Sequence, residues 1–408
     1  MSEVLFATIA AGGGHVATAR AMAEAVTAAS AGSLTTRVSD VMAEYGPKDL
    51  DARHKASWKA LLGRPPLVRA SQRLMDAAPA LSRAVQGRLL LGFTKGITEV
   101  LNRQPPALIV ANHGWLATAF ADARARYGLK SPVVVFATEP FDASALWSAP
   151  QAETVLAPSA AAGEDLRRLG VSPAALHVSG YPVAERFTKG PDKAAARASL
   201  GLGDGFVVLM SLGAEGVAAD EAVDAALGLA HAGCNVLCAT GRNEVLAARI
   251  AAAARAVGLH DRVSALGFVE RMEVPLSASD VMVGKAGPAS TMEALAVGRP
   301  VITASYAGLN ERAVVRFLES RSLGEHAGSF AALPAVVSRW RSSPALLADA
   351  TREAAKLDFG AMTAGIGAFL TRLAIHGVVD PGLLVPGELA RVNGASLVPG
   401  SGSAARGA

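Results

Sequence analysis

Three short runs in this chain put glycine between an apolar run and a helical pattern, and each leaves room for an anion. The first, Ala11-Gly12-Gly13-Gly14-His15, follows the apolar run 4–10. Its glycines let the backbone approach a ligand closely, and the first N–H groups of the helix that follows attract negative charge. The second, Leu212-Gly213-Ala214-Glu215-Gly216, follows the run 206–211. In the third, Gly284-Lys285-Ala286-Gly287-Pro288, proline takes the first helical position. Glu293 stands in the second turn of that last helix, flanked by Met292, Ala294 and Leu295. A carboxylate there can accept from two vicinal hydroxyls at once, which suits a ribose whose phosphates rest on the helix start. His15, at the start of the first helix, has the side chain for a general base near pH 7.

The same residues leave a second chemistry open. Gly12-x-Gly14-x-x-Ala17 also meets the loose dinucleotide fingerprint, with Asp40 as the ribose ligand, so a nicotinamide-dependent dehydrogenase stands as a rival. A P-loop does not, because no Gly-Lys-Ser/Thr follows a glycine loop. Asp49-Leu50-Asp51 has the form of a metal-binding triplet but lies in a basic stretch rather than at a strand end, and we read it as coincidence. Cys234 and Cys238 are too few for a disulfide framework and have no nearby His pair, so they read as core residues.

Such turns need strands and helices to present them. Apolar runs rich in Val, Ile and Leu alternate with segments of helical period, the pattern of a parallel sheet covered by helices. The runs are 4–10, 107–111, 133–137 and 154–157, then 206–211, 235–240, 262–266, 281–284 and 300–304. Between the two sets, Thr188-Lys189-Gly190-Pro191-Asp192 and the Gly-rich run 201–205 flank a short helical piece. A chain of 408 residues accommodates two domains. The pattern predicts an α/β protein with two doubly wound halves, at 1–187 and 206–375, a linker at 188–205 and a tail from 376 whose last part, 389–408, is frayed.

The chain is 51% hydrophobic, yet no uninterrupted apolar stretch reaches the roughly 18 residues of a spanning helix. The start carries no basic n-region or cleavage site, so a cytoplasmic location is expected. The formal net charge is +4, but it is unevenly spread. Residues 48–104 hold eleven Lys and Arg against four acids, a net of +7, which leaves −3 for everything else. Trp58, Leu67, Val68, Leu74 and 89–91 interleave with those bases, giving amphipathic helical stretches. Such stretches can lie in an anionic lipid interface, with Trp58, Lys59, Arg64, Arg69 and Arg73 as contacts, or pack on the domain as a solvated insertion. Nucleic acid is not expected, for want of a recognisable binding module.

Taken in order, these runs are similar to a known family. The stretch 12–25, the turn 211–216, Gly267-Phe268-Val269 followed by Met272, and the stretch 284–302 resemble the GT-B glycosyltransferases that include monogalactosyldiacylglycerol synthase, processive diacylglycerol glucosyltransferase and the N-acetylglucosaminyl transferase of lipid II synthesis. The middle runs Phe136-Ala137-Thr138-Glu139, Leu156-Ala157-Pro158-Ser159 and 178–183 are similar to the diacylglycerol branch in particular.

The resemblance implies a GT-B fold, two Rossmann-like domains facing across a cleft, with a UDP-sugar held mainly by the C-terminal domain and a lipid acceptor reached from the N-terminal one. It implies transfer of a hexose with inversion, no cofactor and no obligatory metal, and a peripheral place on the inner face of the cell membrane. Glu293 would hold the ribose, and Phe268 and Val269 would line the uracil. Ser211, Gly213, Gly216, Gly287, Ala289 and Ser290 would surround the diphosphate, with Gly14 as a further donor contact. Asn310 and Glu311 fall where the family has a Gln-Glu pair for the donor sugar, and His15 matches its histidine after the glycine loop. Glu139 stands where the family often has Asp, and it joins His15 as a candidate for catalysis. Val314 stands where an Asn is common, so the choice of hexose does not carry over. A UDP-N-acetylglucosamine 2-epimerase, a lipid II transferase and a non-catalytic nucleotide or lipid sensor are the alternatives on the same fold.

Overall fold

The computed structural model describes residues 2–10, 13–49, 51–53, 56, 64–214, 216 and 219–392. They form two compact units, each built on a six-stranded parallel sheet, as the alternation of runs predicts.

The first unit contains β1 (Ser2–Thr8), β2 (Leu34–Asp40), β3 (Leu108–Ala111), β4 (Val133–Phe136), β5 (Thr154–Ala157) and β6 (Leu176–Val178), in the order β2-β1-β3-β4-β5-β6. Strands β3, β4 and β5 are buried throughout, because helices cover both faces. Edge strands β2 and β6 lack the continuous apolar run, which is why that pattern alone does not reveal them. One face packs Leu5, Ile9, Phe93, Phe120 and Trp147, and the other Val4, Phe6, Met22, Phe136, Ile366 and Phe369.

The second unit contains β7 (Val207–Ser211), β8 (Asn235–Ala239), β9 (Val263–Ala265), β10 (Val281–Lys285), β11 (Val301–Ser305) and β12 (Gly324–His326), in the order β12-β11-β10-β7-β8-β9. Cys234 and Cys238 are buried here as free thiols, and burial pushes the Cys238 thiol up to about 12, in keeping with a core role. The short helix Lys193–Ser199 lies in the stretch read as a linker and is tied into this unit through Asp280. That carboxylate accepts from Lys193, Arg197 and the Val207 N–H.

The unit bounds differ from those read along the sequence. Residues 358–392 belong with the first unit, as does the segment Ala307–Ala313. The helix Phe359–His376 buries Met362, Ile366, Phe369, Leu370 and Leu373 and packs along the helix Gly14–Ala29. The two approach so closely that a methyl group on Gly367 would stand 2.7 Å from the Ala25 backbone. The tail expected to fray from 389 begins packed, since Leu389 and Val392 are buried and the Val392 carbonyl accepts the Ala161 N–H. Periodicity marks a helix as having a buried face but does not say which unit covers it.

Candidate functional site

In each sheet the strand order reverses once, between β1 and β3 and between β7 and β10. Ligands of open parallel sheets bind beyond the carboxyl ends of the strands at such a point. Both sets of candidate residues lie there.

In the second unit, β7 ends at Ser211 and runs into the glycine turn, where Gly213 and Gly216 take φ of +74° and +58°, values that favour glycine. This turn is bonded to the one after β8: the Arg242 N–H donates to the Ala214 carbonyl at 2.9 Å, and the Asn243 side chain donates to the Gly216 carbonyl at 3.0 Å. Beside it β10 ends at Lys285, and the helix Pro288–Ala296 starts at Gly287 with no side-chain cap. That helix presents the N–H groups of Ala289 and Ser290, while the Ser290 hydroxyl donates to the Gly287 carbonyl at 3.1 Å. Lys285 spans the two turns: its Cε would lie 3.6 Å from a methyl group on Gly213 and 3.7 Å from one on Gly287. Sequence reasoning passed over Lys285, although it stands in the middle of the third glycine run. Together, two glycine turns, a helix start and one ammonium form a cradle suited to an anion.

Glu293 lies one turn further along the helix, half-buried. Loss of hydration pushes its carboxyl up to about 7, against the pull of the Arg186 guanidinium. Phe268 is 59% exposed, an unusual setting for a large aromatic, and the Arg242 guanidinium lies over its ring at 5.3 Å. Val269 beside it is half-buried.

In the first unit, His15 and Gly14 begin the helix Gly14–Ala29 at the end of β1. His15 Nδ1 is 3.0 Å from Thr138 Oγ1, and its ring lies 4.6 Å from that of His113 and 6.1 Å from that of Trp147. Asn112 anchors this helix start by donating to the His15 carbonyl and to Thr18 Oγ1. Asp40, the ribose ligand of the dinucleotide alternative, instead accepts the Ala10 N–H and caps the helix Val41–Tyr45.

Glu139 follows Thr138 and is buried. It lines a cavity of about 380 Å³ with Gln72, Asp76, Asp142, Asp165, Arg168 and Asn310 among the walls. Three consecutive backbone N–H groups hold three of these carboxylates: Ala143 donates to Asp165 at 3.1 Å, Ser144 to Glu139 at 2.9 Å and Ala145 to Asp76 at 2.7 Å. Burial, with the Asp76 charge adding to it, pushes Glu139 up to about 7. Asp76 and Asp165 are raised as well, mainly by burial.

Asn310 and Glu311 lie in the segment that clusters with this first unit. Asn310 lines the Glu139 cavity, and Glu311 folds back to accept the Ala307 N–H at 2.6 Å. Of the expected lipid contacts, Trp58 and Lys59 lie outside the described residues. Arg64 and Arg73 are exposed, while Arg69 is half-buried and donates to the Ala307 carbonyl at 3.3 Å, so it is turned away from solvent. The exposed apolar residues of this region are Leu67 and Leu74 on the helix Pro65–Ala77 and Leu89 on the helix Pro79–Arg103, as the interleaving pattern suggests, joined by Leu81 and Val85 on the second helix. Arg88 and Lys95 are exposed along the second helix. No described helix is long and apolar enough to cross a membrane.

Residues 211–312 match the glycosyltransferase family 28 C-terminal domain. Monogalactosyldiacylglycerol synthase of Spinacia oleracea is 25% identical over 353 residues, which cover 81% of this chain and 64% of the spinach protein. The chain therefore spans less than two thirds of that relative. Among solved structures, Anabaena HepE in complex with UDP and glucose superposes with a TM-score of 0.52 at 15% identity, over 91% of this chain and all of the other. An enzyme described as a UDP-N-acetylglucosamine 2-epimerase, from Listeria monocytogenes, superposes with a TM-score of 0.61 at 13% identity, over 93% and 98%. The shared architecture is the GT-B fold.

Proposed function

We propose that this chain, a GT-B glycosyltransferase of the monogalactosyldiacylglycerol synthase family, moves a hexose from a UDP-sugar to a hydroxyl of a lipid acceptor, diacylglycerol or its glycosylated form, with inversion. The observation that carries the donor half is the pairing of the cradle formed by Ser211, Gly213, Lys285 and Gly287 with Glu293 one turn beyond it. Negative charge on the leaving diphosphate is met by the Lys285 ammonium and the N–H groups of the helix start, and the ribose hydroxyls donate to Glu293. Glu139 takes the proton of the acceptor hydroxyl as its oxygen attacks the anomeric carbon, and the bond from that carbon to the diphosphate breaks on the opposite face. His15, held through Thr138, positions the acceptor.

What supports a lipid acceptor over a soluble one is the stripe of exposed Leu67, Leu74, Leu81, Val85 and Leu89 beside Arg64, Arg73 and Arg88. A soluble substrate gives no reason for it. On this reading the protein works at an anionic membrane surface, on its cytoplasmic face. Incubation with diacylglycerol and each UDP-sugar in turn, with the lipid product read by mass and anomeric coupling, identifies the hexose and the stereochemistry. Absence of any glycolipid product, together with interconversion of the free UDP-sugar, overturns the reading in favour of an epimerase. Glu293→Ala is expected to weaken UDP binding at least several-fold, since hydrogen bonds to a charged acceptor contribute roughly 1.5–3 kcal/mol each. Unchanged UDP affinity by calorimetry refutes the ribose assignment.

A further inference from the structure

Three carboxylates from three different parts of the first unit meet on three successive N–H groups. Asp165 comes from the helix Ala160–Arg168, Glu139 from the turn after β4, and Asp76 from the helix Pro65–Ala77. The N–H groups of Ala143, Ser144 and Ala145 receive them in that order, and Glu139 and Asp76 both line the same cavity. The two sit in contrasting settings: Glu139 is buried, whereas Asp76 stays open to solvent at the cavity. Two carboxylates on the walls of one cavity disfavour each other's ionisation, and the buried one responds more strongly to its neighbour.

The charged groups around Glu139 are few. Asp142 lies on its own turn, Asp165 and Arg168 face the cavity from the helix Ala160–Arg168, and Asp76 faces it from the helix Pro65–Ala77. Arg168 pairs with Asp165, which offsets that carboxylate's charge. Among the described residues of the cavity wall no second cation stands by to offset Asp76, so its charge is left to act on Glu139. The helix that carries it has two working faces: Gln72 and Asp76 look to the cavity, while Leu67 and Leu74 are exposed, about half a turn away at 100° per residue.

We propose that Asp76 is a positioning residue for proton transfer at Glu139: its negative charge, held on the Ala145 N–H beside the Ser144 N–H that seats Glu139, sets how tightly Glu139 holds a proton. The inference rests on the reading that Glu139 receives the acceptor's proton. In that step the acceptor O–H bond breaks, its proton joins the Glu139 carboxylate, the oxygen bonds to the anomeric carbon, and the electron pair of the old bond leaves with the UDP diphosphate.

Asp76→Asn keeps an oxygen for the Ala145 N–H and removes only the charge, and Asp76→Ser serves if the Asn variant does not fold. Infrared difference titration of the intact protein against Glu139→Gln isolates the Glu139 carboxyl without requiring turnover. Its midpoint is expected to fall in the Asp76 variant, on the order of half a pH unit given the exposure of Asp76. The rising limb of kcat against pH, measured with UDP-sugar and diacylglycerol vesicles, is expected to move with it. An unmoved midpoint overturns the proposal and leaves the assignment of Glu139 standing. A midpoint that moves while the kcat limb stays overturns Glu139 as the base, and the role of Asp76 in transfer with it.

Discussion

Glu139 and Glu293 share an uncommon property for carboxylates: each is pushed to about 7 by burial, one at the cavity of the first unit and one on the helix behind the glycine turns of the second. Their roles differ because their neighbours differ. Glu139 is held by a backbone N–H and faces other acids, whereas Glu293 stands on a helix behind an anion cradle. With its carboxyl pushed up to about 7, Glu293 gains charge as pH rises through neutrality, and on the proposed reading the ionised form is the one that accepts from both ribose hydroxyls. UDP affinity is therefore expected to rise from pH 6 to pH 8, and Glu293→Gln to flatten that dependence; calorimetry at both pH values checks it. The stability sign is opposite. The native carboxyl holds its proton up to about 7, while the unfolded one releases it near 4.5. The native state thus binds more protons between these values, and stability falls as pH rises through that window. Without ligand, Glu293→Gln is expected to melt above the wild-type protein at pH 8 and close to it at pH 4, because the amide carries no charge to bury. Equal melting temperatures at pH 8 would refute the desolvation account.

Whole elements position these residues. The helix Phe359–His376 lies far along the chain from the helix Gly14–Ala29 that it packs against, and so helps fix the end of β1 where His15 begins its helix. Gly367 is the point of contact. Gly367→Ala drives a methyl group to 2.7 Å of the Ala25 backbone, a clash that flexible side-chain movement cannot relieve. Overpacking of this kind costs typically about 1–3 kcal/mol. Chemical denaturation should show that loss, whereas the same substitution at the exposed Gly96, where nothing lies within 4 Å, should stabilise the helix or leave it unchanged. Similar destabilisation at both positions would show that the contact is not responsible. The second unit has its own anchor in Asp280, which joins the helix Lys193–Ser199 to the start of β7.

At the scale of the whole molecule the decisive quantity is where charge lies. A net of +4 conceals +7 on residues 48–104 and −3 elsewhere, and in the described part of that segment exposed leucines stand beside the bases. Each base near an anionic surface contributes about 1 kcal/mol, so replacing Arg64, Arg73 and Arg88 with Glu should abolish sedimentation with phosphatidylserine-containing vesicles at physiological salt. Neutral vesicles should bind neither protein well, and binding of the triple variant equal to that of wild type would exclude an electrostatic dock. Replacing Arg69 is expected to act differently, loosening the segment Ala307–Ala313 rather than the membrane contact.

Much of this was legible in the order of residues alone. Two parallel sheets, and the placing of Gly213, Gly287 and Glu293 at strand ends and helix starts, follow from local rules, because a glycine before a helix start has the same consequences wherever the chain takes it. The basic segment was legible too, since charge is a property of composition. What needed the tertiary structure was every relation between distant positions. Lys285 gained meaning from lying between two turns about seventy residues apart in sequence, and Arg69 proved to reach the Ala307 carbonyl, a contact no local pattern announces. Asp76, one acid in a basic run, faces the same cavity as Glu139 because one turn receives both carboxylates. The physical reason is common to all three: sequence specifies what each residue offers, while proximity across the chain is set by packing, and packing decides which charges are near enough to shift one another.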